Sequence, residues 1–497
     1  MSGIKSLAKD TAIYGLSSII GRFLNWCMVP LYTFTFTSAQ YGEVTYIYAA
    51  VAIALIVLTY GLETGFFRFA NHERYSDPME VYSTGLVSLA VSSTVFMGGT
   101  LGLLGPIAEW MHCPDHPSFA GMMIVAVALD AFTALPFSYL RFRKRPLRFA
   151  ALKLVNIGLN IGLNLFFILL CPWVWKHHPG TIAWFYDPDF GIGYIFLANL
   201  IASAVNLPLL LPELTGFRWR FNGALWREMI GYSAPLLVLG IAGILNQTIP
   251  TLLFPYLSPD TATAMGQLGI YNANYKIAIV MVMFIQAFRF AYEPFIFAKA
   301  REQGDDKLQS YRDAMKWFVI SSMFIFLFVM FYLPFLRYFI SPAYFSGLKV
   351  VPVIMIAELF FGIFFNLSLW YKLTDRTVWG AWFSLLGLAV TLGLNILLVP
   401  RWGYMGCAWA AFGCYGVMMA ASYIAGRINY PIGYNVPRLC MYMLLGVGLW
   451  IVSLFFDLNS QFATMAIRTG LLALYVLLVV RIEHVSPASL IPRRGKG

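Results

Sequence analysis

One apolar stretch of the sequence is punctuated by Lys153, Asn156, Asn160 and Asn164. A helix turns 100° per residue, so these steps of 3, 4 and 4 keep all four within a sector of about 80°. Such a face offers a cation followed by a ladder of amide donors and acceptors. Two readings are open: asparagines that glue helices together, or a solvated track for a hydroxyl-rich cargo. Arg22, Asp130, Lys276 and Glu358 also fall deep within apolar stretches. A charge at the centre of a lipid-embedded helix costs about 2.5 to 3.5 kcal/mol, so each must face protein, water or a ligand. The four can pair as two salt bridges. Alternatively, Arg22 and Lys276 meet an anion while Asp130 and Glu358 take up a proton or a sodium ion. Arginine grips phosphate through two parallel hydrogen bonds and lysine acts as a point charge, so both modes are on offer.

Further polar residues extend this set. Asn25 follows Arg22 by one turn. Gln286, Arg289 and Glu293 share another helical face at steps of 3 and 4, where Arg289 and Glu293 can also pair with each other. Arg68, in Gly61-Leu62-Glu63-Thr64-Gly65-Phe66-Phe67-Arg68, is either a topology anchor or a ligand contact, and Glu63 joins the carboxylates available for ion coupling. Cations at several depths and an amide ladder suit a ligand with an anionic head and a sugar-like body. A hydrophobic cation would call instead for deep carboxylates in an aromatic pocket. His112, Cys113, His116, His177 and His178 repeat no ordinary ligand spacing, so no metal site is expected.

The elements that carry these residues are set by composition. Of 497 residues only 11% are charged, against about 25% in soluble proteins, and 60% are hydrophobic. A soluble enzyme, a disulfide scaffold and a disordered chain are excluded. In hydrocarbon every backbone polar group must be bonded within its own segment, which leaves helices of about 20 residues. Fourteen candidate spans follow: 11–33, 44–62, 82–105, 118–140, 149–171, 190–211, 228–254, 267–290, 314–336, 347–369, 378–399, 403–425, 436–456 and 461–482. Sorting Lys and Arg by alternate connections puts 24 on one side and four on the other. The basic side is the cytoplasmic one, so both termini are expected there. The net charge of +11 is thus a topology signal and calls for no nucleic acid. Lys316 and Arg468 lie near span ends and are expected to snorkel. The longest outer connection, 172–189, leaves no room for the external catalytic loop of a membrane transferase. No GxxxxGK[ST] occurs, so ATP is not the direct energy source.

An internal repeat divides the chain. Pro30-Leu31-Tyr32 and Gln40-Tyr41-Gly42 are echoed by Pro255-Tyr256-Leu257 and Gln267-Leu268-Gly269. Gly162-Leu163-Asn164 is echoed by Gly393-Leu394-Asn395. The nearly constant offset implies two six-helix lobes, residues 1–216 and 217–430, in the same orientation, with two extra helices and a basic tail in 431–497. This parallel repeat is the layout of alternating-access carriers, with a site between the halves near the midplane.

Several tracts resemble one family. They are Thr11-Ala12-Ile13-Tyr14-Gly15-Leu16-Ser17-Ser18 with Gly21-Arg22, Tyr41-Gly42, Gly61 through Arg68, Leu373-Thr374-Asp375-Arg376-Thr377, and Leu394 through Gly406. The chain is similar throughout to the Wzx-type polysaccharide flippases of the multidrug/oligosaccharidyl-lipid/polysaccharide exporter superfamily. The resemblance implies the all-α fold shared with that superfamily's multidrug exporters and lipid II flippases, and a multi-pass protein of the bacterial cytoplasmic membrane. It implies movement of polyprenyl-diphosphate-linked oligosaccharide to the outer leaflet for surface polysaccharide, without catalysis. No cofactor is implied beyond coupling to H+ or Na+ and the membrane potential. Polysaccharide polymerase and assembly proteins are the implied protein partners. Arg22 matches a first-helix cavity arginine of the family, and the eighth-helix cations fall on Lys276 and Arg289. Lys153 and Arg68 match no family ligand residue and rest on their helical faces alone. A multidrug/cation antiporter of the same superfamily is the alternative.

Overall fold

The computed structural model describes residues 19–71, 77–216, 218–299, 306–374, 376–456 and 460–484, excluding the side chains of 239, 291, 293–299, 306 and 307. Among them every long element is a helix and no strand occurs. The first, α1, comprises residues 19–26 and, after a turn, Val29–Thr35. It is followed by α2 (Ser38–Ala70), α3 (Pro78–Gly102), α4 (Pro117–Phe142), α5 (Pro146–His177), α6 (Gly193–Leu209) and α7 (Gly223–Leu257). Then come α8 (Thr261–Lys299), α9 (Asp306–Phe331), α10 (Val350–Leu373), α11 (Val378–Trp402), α12 (Tyr404–Asn429), α13 (Val436–Leu454) and α14 (Gln461–Ile482). Twelve of these are long and apolar enough to cross a membrane; α6 is shorter, and residues 11–18 of the expected first span lie outside the described residues.

Local sequence sets the helix ends and breaks. Pro78, Pro117 and Pro146 open α3, α4 and α5, where a missing N–H costs nothing. Thr37 and Gln40 close a capping box on α2. That helix breaks at Tyr60 and Gly61, which take φ of 31° and 72°, and resumes as Leu62–Ala70. The left-handed turn at Gly61 lies against Ser233 of α7, so it aims Glu63 and Arg68 along a new axis. In α5 a π-helical turn spans Phe166–Leu170, directly before Pro172, whose ring nitrogen cannot donate to residue 168.

The chain packs as two compact units. One comprises Met1–Ala273 and Ser384–Ala410, the other Asn274–Phe383 and Ala411–Gly497. This division follows packing and cuts through α8, α11 and α12, whereas the sequence repeat keeps whole helices together. In the first unit α4 packs on α2, α3 and α6, and α5 packs on α6. In the second, α9 packs on α10, α13 and α14.

The repeated motifs meet inside the first unit. A Cβ on Gly42 would fall on the Met265 carbonyl oxygen, and one on Gly269 would fall on the Ser38 carbonyl oxygen. Each glycine therefore admits the other repeat's backbone. Nearby, Asn272 donates to the Thr45 hydroxyl at 3.2 Å. The second echo is equally regular: Asn164 and Asn395 are both fully buried, and each donates to the carbonyl four residues earlier, at 2.8 and 2.7 Å.

Just past the C-terminal end of α14 in the second unit, Glu483 accepts from Lys316 of α9 at 2.7 Å, from Arg438 of α13 at 2.8 Å, and from Tyr442. Lys316 is thus held in an ion pair instead of snorkelling. Arg468 is also not at the surface: it is buried and reaches the Phe331 carbonyl at 3.5 Å. Both departures arise because a neighbouring helix end supplies an acceptor. Burial pushes the Glu483 carboxyl up, but Lys316, Tyr442 and Arg438 outweigh it and hold the group below the usual glutamate range.

The packing has consequences for stability. Gly42→Ala and Gly269→Ala each force backbone apart and should cost about 1 to 3 kcal/mol, whereas Gly98→Ala, whose Cβ meets nothing, should be neutral. Thermal melting of purified protein reads this. Glu483→Gln should lose about 1 to 3 kcal/mol at neutral pH, the half-exposed Arg438 tempering the value. A depressed carboxyl stabilises above its unfolded pKa of about 4.3 and loses that contribution as pH falls through the lower folded value. Wild-type and variant melting temperatures should therefore converge only in strong acid.

Candidate functional site

In the first unit α1 lies along α5. A Cβ on Gly21 would meet the Ile157 side chain, and the Tyr32 hydroxyl donates to Asn164 Oδ1 at 3.1 Å. Gly21 thereby sets the adjacent Arg22 beside the middle of α5. Arg22 and Asn25 are both exposed, one turn apart, and Arg22 has no ion-pair partner among the described residues. On α5, the half-buried Lys153 holds its ammonium 4.0 Å above the Phe137 ring of α4. Asp130, also on α4, has Ser203 as a hydrogen-bond partner and Lys153 as its charged neighbour. The four-residue polar face of α5 is therefore real, but its members differ in role.

Asn156 donates to the Ala202 carbonyl of α6 at 2.8 Å. Asn164 is buried between Tyr32 and Asn160. These two amides are spent on helix contacts, which corrects the expectation of a continuous solvated ladder: the upper rung is closed off where α1 crosses α5. Lys153 and Asn160, the other two members of the stripe, are half-buried. Glu63 accepts from Arg141 at 2.8 Å and Ser138 at 3.0 Å, so it serves an ion pair linking α2 to α4. Arg68 lies over the Tyr232 ring at 4.0 Å, an aromatic seat on α7.

In the second unit three consecutive residues of α8 carry the polar groups. Asn274 donates to the Tyr344 carbonyl at 2.8 Å, and Tyr275 donates to Glu358 of α10 at 2.8 Å. Glu358 is only 4% exposed, so this phenol satisfies a carboxyl group deep in the unit. Lys276 follows directly and is half-buried. Asp130 and Glu358 thus each have a hydroxyl partner in their own unit. Further along α8 toward its C-terminal end, Arg289 is exposed and stacks over Phe365 at 4.8 Å. Arg289, Lys372 and Asn366 line one narrow cleft near the C-terminal ends of α8 and α10. Lys372 counts in the sequence only as a topology charge; its position at the last turn of an apolar helix is the available signal. The side chain of Glu293 lies outside the described residues, as does any pairing it makes with Arg289.

Arg68, Lys153 and Arg289 share a feature that spacing does not disclose: each cation rests on an aromatic face. Such contacts stabilise by about 0.5 to 2 kcal/mol, less than a bidentate phosphate contact in a desolvated site, so the rings can hold these cations until an anion arrives.

This arrangement of helices and cations has counterparts among known proteins. Residues 7–298 match the family described as "Polysaccharide biosynthesis protein". No curated protein matches the sequence. Among solved structures, the lipid II flippase MurJ in an inward closed conformation aligns with a TM-score of 0.73 at 11% identity, covering 96% of this chain and 99% of that one. An inward-facing multidrug resistance MATE family transporter of the MOP superfamily aligns with a TM-score of 0.66 at 12% identity, covering 88% and 99%. The MATE multidrug transporter DinF-BH gives a TM-score of 0.61 at 16% identity, covering 85% and 96%. At such identities these matches establish the fold, which this chain shares with those proteins. The family match spans more than half of the sequence, and the chain therefore belongs to the polysaccharide biosynthesis protein family.

Proposed function

We propose that this protein is a flippase for polyprenyl-diphosphate-linked oligosaccharide, carrying it from the cytoplasmic to the outer leaflet of a bacterial inner membrane by alternating access. One observation carries the reading: Arg22 is exposed on α1, next to the Gly21 that packs on Ile157 of α5, in a chain of the polysaccharide biosynthesis family. The likeness to a protein named a lipid II flippase supports the lipid-linked class of cargo. In this account Arg22, Lys153 and Arg68 are phosphate contacts of the first unit, and Lys276 and Arg289 are anion contacts of the second, each considered by itself. Asn25 and Asn160 meet the glycan, and the polyprenyl tail stays in lipid.

Moving about two negative charges outward across an inside-negative membrane is favourable by roughly 4 to 5 kcal/mol per 100 mV. The potential is therefore sufficient to drive the step. Proton or sodium uptake at Glu358 or Asp130 adds to that drive; each already has a hydroxyl partner that can accommodate either protonation state. Glu63, bound to Arg141, is left to structure in this scheme. Polymerase and assembly proteins act on the delivered lipid from the outer side.

In reconstituted vesicles, Arg22→Ala and Lys276→Ala should each cut diphosphate-glycolipid flipping at least tenfold while yield and melting temperature hold. Wild-type rates in both variants, or transport of a hydrophobic cation in place of the glycolipid, would overturn the reading. The asparagines should separate by role. Asn164→Ala should lower the melting temperature, at a cost of about 1 to 3 kcal/mol for an unsatisfied buried partner. Asn160→Ala should slow flipping more than it destabilises the fold.

A further inference from the structure

A second polar cavity lies away from these residues, at the inner end of α12. It encloses about 360 Å³ within the second unit, between the last turns of α12, the segment 430–437 and the end of α10. Trp370, Tyr423, Tyr430 and Tyr434 provide its aromatic lining, with Arg427 at the rim. Gly426 lets the Trp370 indole pack directly on α12 to form one wall of the cavity, since a Cβ there would press into the ring. Trp370 is 1% exposed, and among the described residues neither its indole N–H nor the buried Tyr434 hydroxyl has a hydrogen-bond partner. Arg427 is exposed, and among the described residues no carboxylate pairs with it. Arg376, bonded at 2.7 Å to Asn429, adds a second guanidinium near the same helix end.

The neighbouring face of α12 identifies what reaches this rim. Val417, Ile424 and Ile428 are 40%, 59% and 77% exposed and follow one another at steps of 7 and 4, a continuous apolar stripe ending beside Arg427. Ile428 and Arg427 adjoin in sequence, so an occupant can lay hydrocarbon on the stripe while its head turns into the cavity. A soluble sugar phosphate would use the head site alone and leave the stripe without a role. We propose that this cavity binds the headgroup of an anionic glycerophospholipid of the phosphatidylglycerol type. Arg427 grips the phosphate diester, the tyrosine lining receives the glycerol hydroxyls, and the acyl chains follow Ile424 and Ile428. Basic pockets with aromatic walls at the cytoplasmic interface have this recognition chemistry. The site concerns lipid around the protein and is independent of the cargo.

The test is native mass spectrometry of the full chain in detergent, titrated separately with phosphatidylglycerol, phosphatidylcholine and free glycerol 3-phosphate. The wild type should retain phosphatidylglycerol over the other two. Arg427→Gln should weaken that retention about tenfold, the loss of one charge-assisted contact, whereas Arg427→Lys should keep most of it. Arg143→Gln, on an exposed basic connection elsewhere, should leave retention unchanged. Equal losses for Arg427→Gln and Arg143→Gln would mean diffuse surface attraction and overturn the site. Glycerol 3-phosphate binding as tightly as the lipid would overturn the lipid assignment. Melting curves of each variant in the same detergent confirm that the comparison is between folded proteins.

Discussion

A polar group placed in hydrocarbon must find a partner inside the protein or face water, and this constraint sorts the membrane-embedded residues of the chain. Asn164, Asn395, Glu358 and Asp130 have protein partners within their own packing unit. Arg468 is turned inward to a backbone carbonyl. Arg22 is different, being exposed on α1 with no ion-pair partner among the described residues. A charge left without compensation by the fold needs water or a ligand, and under the proposed function that ligand is an anionic glycolipid.

The same constraint explains why aromatic rings appear under so many of the cations. A ring face offers partial compensation without a fixed counter-charge, and its attraction is weaker than that of a phosphate. Arg68 on Tyr232, Lys153 on Phe137 and Arg289 on Phe365 each have this partial compensation. A carboxylate in the place of those rings, as Glu63 provides for Arg141, would neutralise the cation outright. Arg141 and Lys153, two cations near one another in the sequence, differ in their partners: Arg141 has an ion pair with Glu63, whereas Lys153 has the Phe137 ring under its ammonium and Asp130 as its charged neighbour.

Much of the architecture was legible because its physical causes are local. Span order followed from apolar length, and the repeat announced itself in motifs that the fold uses in matching ways: Gly42 and Gly269 where two backbones touch, Asn164 and Asn395 where an amide bonds back along its helix. Directional information was less accessible. Periodicity put four polar residues on one face of α5 but could not say that α1 would cross that face and close it at Asn164, since the crossing depends on Gly21 meeting Ile157. Arg468 and Lys316 lay near span ends, where snorkelling is the cheapest solution for an isolated helix; tertiary acceptors at Phe331 and Glu483 supplied another. Lys372 was hidden by its place at a helix end, where a charge ordinarily marks topology.

On this reading the membrane-embedded cations receive the anionic linkage of the cargo, and not its sugar or its tail alone. The decisive comparison offers purified protein in sealed vesicles two glycolipids with the same glycan and tail, one joined through a diphosphate and one through a neutral ether. Protein-dependent crossing of the diphosphate lipid is expected, accelerated by an inside-negative potential, with the neutral lipid left behind. Equal crossing of both, or indifference to the potential, would contradict it.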